Sequence, residues 1–259
     1  MQFLRLAAFL AVAMLVLAAC GGSGSPGAQV SRDQKEPKAL LKDVAAALRR
    51  VRSYHLEGTQ DAADGHARVS GDVARNGNVR LKMNTEGRTL EIIAAGTRLY
   101  IRANAAFWRQ NGGDRLAQRL DERWVVAPAQ IAASITGDLD RLRPSGLAFC
   151  AAQPTGHLEN RGTAIVGGRQ AIVITDKGDL PGDAPGAIYV QAHGPALLLR
   201  AVQTGPIRPG RDVDPRCDNP GSSATKGDLR FSRFDAPVTI EAPKHVLDLG
   251  QLGGGGGTV

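Results

Sequence analysis

Between Tyr54 and Ala103 the chain is a train of short segments in which apolar and polar residues alternate, cut at near-regular intervals by tight-turn residues, and this pattern leaves few folds open. The segments are Tyr54 to Gln60, Ala67 to Arg75, Asn78 to Thr85, Thr89 to Ala95 and Arg98 to Ala103, and Asp64-Gly65, Asn76-Gly77, Glu86-Gly87 and Gly96 separate them. A period of two suits strands with one buried face, and Asn-Gly or Asp-Gly supplies the positive φ that tight hairpins require. Five consecutive antiparallel strands are predicted. The pattern resumes beyond Gly156, at His157 to Val166, Arg169 to Asp176, Ala187 to Gln191, Leu197 to Thr204 and Asp228 to Phe234, with Gly167-Gly168 and Gly194-Pro195 as turns. The two strand sets are not alike enough to form an internal repeat.

Helical spacing occurs in two places. From Lys38 to Arg52, Leu40, Leu41, Val44, Ala45, Leu48 and Val51 share one stripe while Lys42, Asp43, Arg49, Arg50 and Arg52 fall elsewhere, which predicts an amphipathic helix. A second helix is predicted from Pro128, with Ile131, Ile135, Leu139 and Leu142 on its stripe and Pro144 as the stop. No run of βαβ units is present. The expected fold is α+β: a single large curved antiparallel sheet, a half-barrel, with helices covering its concave face.

The amino terminus carries an address. Arg5 precedes the apolar run Leu6 to Leu17, which is too short to span a bilayer and suits an export signal over residues 1–19. The signal ends Leu17-Ala18-Ala19-Cys20, which resembles the lipobox of bacterial lipoproteins, a class in which the cysteine thiol takes a diacylglyceryl group and the peptide is cut before it. The other reading is an ordinary secretory signal with a coincidental cysteine. Acylation at Cys20 would anchor the chain firmly, since each buried methylene contributes about 0.8 kcal/mol. Residues 20–37, rich in Gly, Ser, Pro and charge, are expected to form a tether with a reach of roughly 20–25 Å. A folded domain is expected over residues 38–252 and a Gly-rich tail over 253–259. Of three cysteines, Cys150 and Cys217 then remain as an even pair in an oxidising compartment. A disulfide between them is expected, the alternative being two buried thiols. Such a bridge would hold down the long loop from Gly205 to Lys226.

Signatures of catalysis are missing. His55, His66, His157, His193 and His245 occur singly, with no spacing that sets two metal ligands on one face, and neither a Gly-x-Ser-x-Gly elbow nor a phosphate-cradling loop occurs. Ser223-Ala224-Thr225-Lys226 has the Ser-x-x-Lys spacing of penicillin-binding enzymes but leads from a Pro-Gly loop into a strand rather than opening a helix. Asp212 and Asp214 resemble the start of an EF-hand loop, yet Arg216 and Cys217 stand where a ligand and a glycine are needed. No catalytic residue, metal site or cofactor is expected. The chain is basic, with 32 Lys and Arg against 25 Asp and Glu, a net charge of +7. On an exported, anchored protein that surplus, including Lys35, Lys38, Arg49, Arg50 and Arg52, points to anionic headgroups or cell-wall polymers rather than to nucleic acid; a merely solvated helix face is the alternative.

A sheet of this size is usually rich in aromatic residues, whereas this chain has six Phe, two Trp and three Tyr. Alternation places Leu81 and Met83, Leu90 and Ile92, Leu99 and Ile101, Ile172 and Ile174, and Leu197 and Leu199 on one face, with Ile131, Ile135 and Leu139 on the helix above. That aliphatic carpet is either ordinary core or the wall of an acyl-chain cavity. The order of features resembles the LppX and LprG group of envelope lipoproteins, itself similar to the LolA and LolB carriers. The residues that carry the resemblance are Leu17-Ala18-Ala19-Cys20, the helix ending in Val51-Arg52-Ser53-Tyr54-His55-Leu56-Glu57-Gly58-Thr59, the strands Leu90-Glu91-Ile92-Ile93 and Gly96-Thr97-Arg98-Leu99-Tyr100-Ile101, Phe107-Trp108, Arg123-Trp124-Val125-Val126, and Leu229-Arg230-Phe231-Ser232-Arg233-Phe234 leading to Pro237-Val238-Thr239-Ile240. Residues 206–225, with Cys217, match no part of that pattern. The resemblance implies a non-catalytic, membrane-anchored, extracytoplasmic monomer that binds and transfers acylated lipid or lipoglycan. A filled-core sensor or scaffold for a protein or cell-wall partner is the alternative, and a hydrolase using Ser223 and Lys226 is a third.

Overall fold

The structure, a computed structural model, describes residues 32–62, 65–153, 156–208, 214, 217 and 225–250. The signal, Cys20, most of the tether, Asp64, Asp212, Arg216, Ser223, Ala224 and the tail at 253–259 lie outside the described residues. The described part begins ahead of the expected boundary at residue 38: Arg32–Gln34 form a 3-10 helix and α1 runs over Pro37–Leu48. Pro37 opens α1 at a position where a missing N–H costs nothing. The helix buries Leu40, Leu41, Val44, Ala45 and Leu48, and ends short of the expected Arg52 in a turn at Arg49-Arg50.

The five predicted strands follow as β1 (Ser53–Ala62), β2 (Gly65–Ala74), β3 (Val79–Thr85), β4 (Arg88–Ala95) and β5 (Arg98–Ala103), each antiparallel to the next. The β3–β4 turn shows why Gly was needed: Thr85 faces Arg88, and the two residues between, Glu86 and Gly87, have φ of 51° and 82°. Positive φ at both positions matches the turn to the right-handed twist of the strands.

Between the strand sets stand α2 (Ala105–Leu120), the short β6 (Val125–Val126), α3 (Ala129–Leu142) and α4 (Pro144–Ala151). Sequence periodicity had marked only α3. Pro144 does stop α3, because the residue before it, Arg143, is forced to an extended ψ of 148°; it then serves as the first residue of α4. The second set is β7 (Leu158–Val166), β8 (Arg169–Asp176), β9 (Gly186–Gln191), β10 (Leu198–Gln203) and β11 (Lys226–Ser232), and β12 (Leu247–Asp248) closes the order.

The strands form one open sheet in the order β12-β6-β5-β4-β3-β2-β1-β11-β10-β9-β8-β7. Two meanders are thus joined where β11 pairs with β1, Phe231 facing Leu56. The expectation of a purely antiparallel sheet needs one correction: β12 runs parallel to β6, Leu247 facing Val125, because the chain crosses the molecule before it reaches that edge. Helices cover one face, where Leu56, Val73, Val79, Leu81, Ile92 and Phe231 from the strands join Leu40 and Leu48 of α1, Leu120 of α2, Leu139 of α3 and Ala148 of α4 in the main core. On the opposite face the segment after β11 returns as a strap. The Asp235 N–H donates to the Ser53 carbonyl (2.8 Å) and Asn78 Nδ2 to the Ile240 carbonyl (3.0 Å), and Ile240 packs on Ile93 and Tyr100 as a second, smaller cluster. Coverage from both sides explains why Ile92, Ile93 and Ala94 of β4 are all buried.

Candidate functional site

Under the helices, where β1 and β8 to β11 diverge from the end of α3, the side chains do not fill the space. A pocket of about 410 Å³ remains, walled by Leu142, Leu158, Ile174, Ile188, Ala201 and Leu229. Gln60, Asp176 and Gln203 add polar groups to its lining. Strand alternation puts these apolar residues on one face, Ile174 opposite Ile188, Ile188 opposite Ala201, and Ala201 opposite Leu229. The small side chain of Ala201 amid three large aliphatic ones leaves the floor open.

Tyr54 fixes the roof. Its hydroxyl donates to the Leu142 carbonyl at the end of α3, and its ring packs against Phe231 and Phe234 with centroids 5.7 and 6.3 Å away. Burial pushes the phenol pKa up, so it stays protonated and remains a donor. At the polar margin burial also raises the pKa of Asp176, against a hydrogen bond donated by the Gly178 N–H at 2.8 Å and with Asp183 and Asp179 adding to the rise. A chain of this environment accommodates apolar matter in its middle and hydrogen-bonding groups at its rim.

The expected cavity residues fall mostly elsewhere. Leu81, Ile92, Leu99, Ile101, Leu139, Ile172, Ile174, Leu197 and Leu199 are all buried in the main core, but of these only Ile174 lines the pocket. Leu90 and Ile135 pack at the border of the core, Met83 is half-buried, and Ile131 is 42% exposed. Met83 and Leu90 line a smaller recess of about 220 Å³ with Phe107 beneath α2. Leu158, Ile188, Ala201 and Leu229 lay in strands whose positions had been read correctly, and carrying the same alternation through β7, β9, β10 and β11 finds them.

A larger groove of about 720 Å³ lies on strands β1 to β5 and β11, with Glu57, Arg68, Lys82, Glu91, Arg102 and Arg230 among its lining. It is charged and partly closed by ion pairs, Glu91 with Arg102 and with Arg80 (3.7 Å) and, beside it, Asp228 with Nε and Nη2 of Arg200, each at 2.7 Å. Size alone would favour it, but an acyl chain laid there would strip water from charged groups without replacing their contacts. The smaller pocket is the better site for apolar ligand.

Cys150 of α4 is bonded to Cys217, with Cα atoms 5.5 Å apart, so the expected bridge is present. His55, His66 and His157 each hydrogen-bond a single aspartate, Asp72, Asp61 and Asp179. None of these pairs has a hydroxyl or thiol nucleophile as a further partner among the described residues. No group of three or more His, Cys, Asp or Glu placed to hold a metal ion occurs among them either. No described helix is long and apolar enough to cross a membrane.

With the open sheet, its helical cover and the pocket between them established, known structures supply the comparison. The chain resembles LppX and LprF. Lipoprotein LppX of Mycobacterium tuberculosis is 15% identical, with 79% of this chain and 98% of that one covered and a TM-score of 0.48. LprF of Mycobacterium bovis is 17% identical, with 80% and 96% covered and a TM-score of 0.49. MucB, solved in complex with MucA of Pseudomonas aeruginosa, is 14% identical, with 81% and 62% covered and a TM-score of 0.34. No family model and no curated protein matches the chain.

Proposed function

We propose that this chain is an extracytoplasmic lipoprotein, anchored through acylated Cys20, that holds and transfers an acylated lipid without chemistry of its own. The observation that carries this reading is the apolar pocket beneath α3. At about 30 Å³ per small group, the share a water takes in the liquid, its 410 Å³ accepts on the order of a dozen methylenes, enough for much of one acyl chain. Polar headgroup atoms would meet Gln60, Asp176 and Gln203 at the rim. Transfer needs only that α3 and α4 part from the sheet, and no bond has to form or break.

The test is direct. The mature chain, residues 20–259 with Cys20→Ser, is purified from an exporting host and examined by native mass spectrometry, then titrated with a fluorescent fatty acid. Bound lipid and saturable uptake are expected, and Ala201→Phe, which fills the floor, is expected to weaken uptake at least tenfold while the melting temperature holds. Absence of lipid from both the native spectra and the extracts, together with no uptake, would sink the proposal. The second reading, a scaffold with a filled core, draws on the burial of most of the aliphatic carpet under α1 to α4; uptake unaffected by Ala201→Phe would favour it.

A further inference from the structure

Strand polarity sorts the turns of the sheet into two ends. Ser53 faces Ala74, so β1 starts where β2 stops, and the same end gathers the α1–β1 connection and the β2–β3, β4–β5, β7–β8 and β9–β10 turns. Arginine is concentrated there: Arg49 and Arg50 before β1, Arg75 after β2, Arg98 opening β5 and Arg169 opening β8. All five are exposed, and none forms an ion pair among the described residues. The carboxylates at those strand ends are already engaged, Asp72 by His55 (2.8 Å) and Arg233 (3.2 Å), Asp235 by Arg52 (3.8 Å). Beside the β7–β8 turn the apolar side chain of Ile165 is 71% exposed. At the other end acids and bases alternate, Asp61, Glu86 and Asp179 among Lys177, Arg208 and Lys226.

The chain enters the fold at the arginine-rich end. The Arg32 guanidinium donates to the carbonyls of Gln191 (3.0 Å), Ala192 (3.0 Å) and Gly194 (2.8 Å), which pins the start of the described chain to the β9–β10 turn. About twelve residues separate Cys20 from Arg32, a span of at most about 40 Å. An acyl group on Cys20 therefore keeps this end, more than any other, within reach of headgroups.

We propose that the arginine-rich end of the sheet docks on an anionic lipid bilayer, with Ile165 entering the headgroup layer; this rests on the acyl anchor at Cys20. Uncompensated guanidinium groups gain from the negative surface potential of such a bilayer. The pocket rim at Gln60, Asp176 and Gln203 lies at the opposite ends of its strands, so docking in this pose turns the rim away from the bilayer that holds the anchor.

The experiment uses mature chain without its acyl group, Cys20→Ser, floated with vesicles of phosphatidylcholine alone or mixed with phosphatidylglycerol. Uptake on the mixed vesicles only is expected, weakened by salt. The triple variant Arg50→Gln, Arg98→Gln, Arg169→Gln is expected to lose at least tenfold in vesicle affinity, while Arg161→Gln, Lys177→Gln, Lys226→Gln, which removes the same charge from the other half of the molecule, is expected to lose less than twofold. Melting curves confirm that both variants fold. Equal losses, equal uptake on neutral vesicles, or capture by soluble polyphosphate with no vesicle uptake would overturn the proposal. The anchor is read separately, from the mass of the amino-terminal peptide of the natural protein, so a missing acyl group and a missing docking surface give different results.

Discussion

Tyr54 sets the height of the helix layer over the sheet, because its hydroxyl reaches the last carbonyl of α3 from the middle of the core. Tyr54→Phe leaves that carbonyl without its donor, and a loss of about 1–2 kcal/mol in urea unfolding is expected for an unsatisfied buried acceptor. A loss near zero would mean that the phenol is dispensable. Asp176 behaves in the opposite sense from most carboxylates. Its folded pKa is raised, mainly by burial, so the native state favours its neutral form. That contribution is full below the ordinary carboxylate value of about 3.9 and is lost as pH rises through the folded value. Asp176→Asn is therefore expected to raise the melting temperature at neutral pH and to change little in acid, which melts across that range would check. For Asp228 the sign reverses: hydrogen bonds from Arg200 hold its pKa down, and its contribution is present above the ordinary value and lost as pH falls through the lower one. At this scale Tyr54 was visible in the sequence as part of a motif. Asp176 read only as the end of a strand, since nothing local to it announces an apolar pocket.

The elements were legible wherever one residue pattern dominated. The β3–β4 hairpin is an example, and it carries an unfavourable residue: Glu86 sits at φ 51°, a left-handed conformation that costs a side-chain-bearing residue roughly 1–2 kcal/mol. Asn suits that position better, so Glu86→Asn is expected to stabilise by about 1 kcal/mol and raise the melting temperature by roughly 2–4 °C, measured by calorimetry. No rise would show that the ion pair with Arg88 (3.9 Å) outweighs the backbone cost. Other elements had no clean pattern. In α2, Gly112 and Gly113 interrupt the periodicity, Gly113 leaves the helix at φ 79°, and only Trp108, Ala117 and Leu120 are buried, too few to trace a stripe. The helix holds because Asn104 caps it, accepting from the Phe107 N–H (3.1 Å) while its Nδ2 donates to the Gly87 carbonyl (2.8 Å), a tie to the neighbouring hairpin. The strap after β11 bonds through isolated contacts rather than a ladder, so alternation never marks it.

Across the whole molecule the disulfide and the β1–β11 pairing tie together segments that lie far apart in the chain. The bridge closes a sequence separation of 67 residues, worth about 4 kcal/mol in the chain-entropy account. Cys150→Ser with Cys217→Ser is expected to lose that amount, and reductant is expected to lower the melting temperature of the native chain but not of the double variant; equal melting with and without reductant in the native chain would refute it. From composition and spacing came the strand periods, the hairpin turns and the even cysteine pair, since each depends on residues close together in the chain or on simple counting. Packing over long separations settled the rest. Which aliphatic residues are sealed under α1 and which border an open pocket depends on where α3 and α4 come to lie against strands joined across the β1–β11 seam. The gathering of scattered arginines at the entry end likewise follows from strand direction, because antiparallel pairing brings to one edge side chains that the sequence keeps far apart.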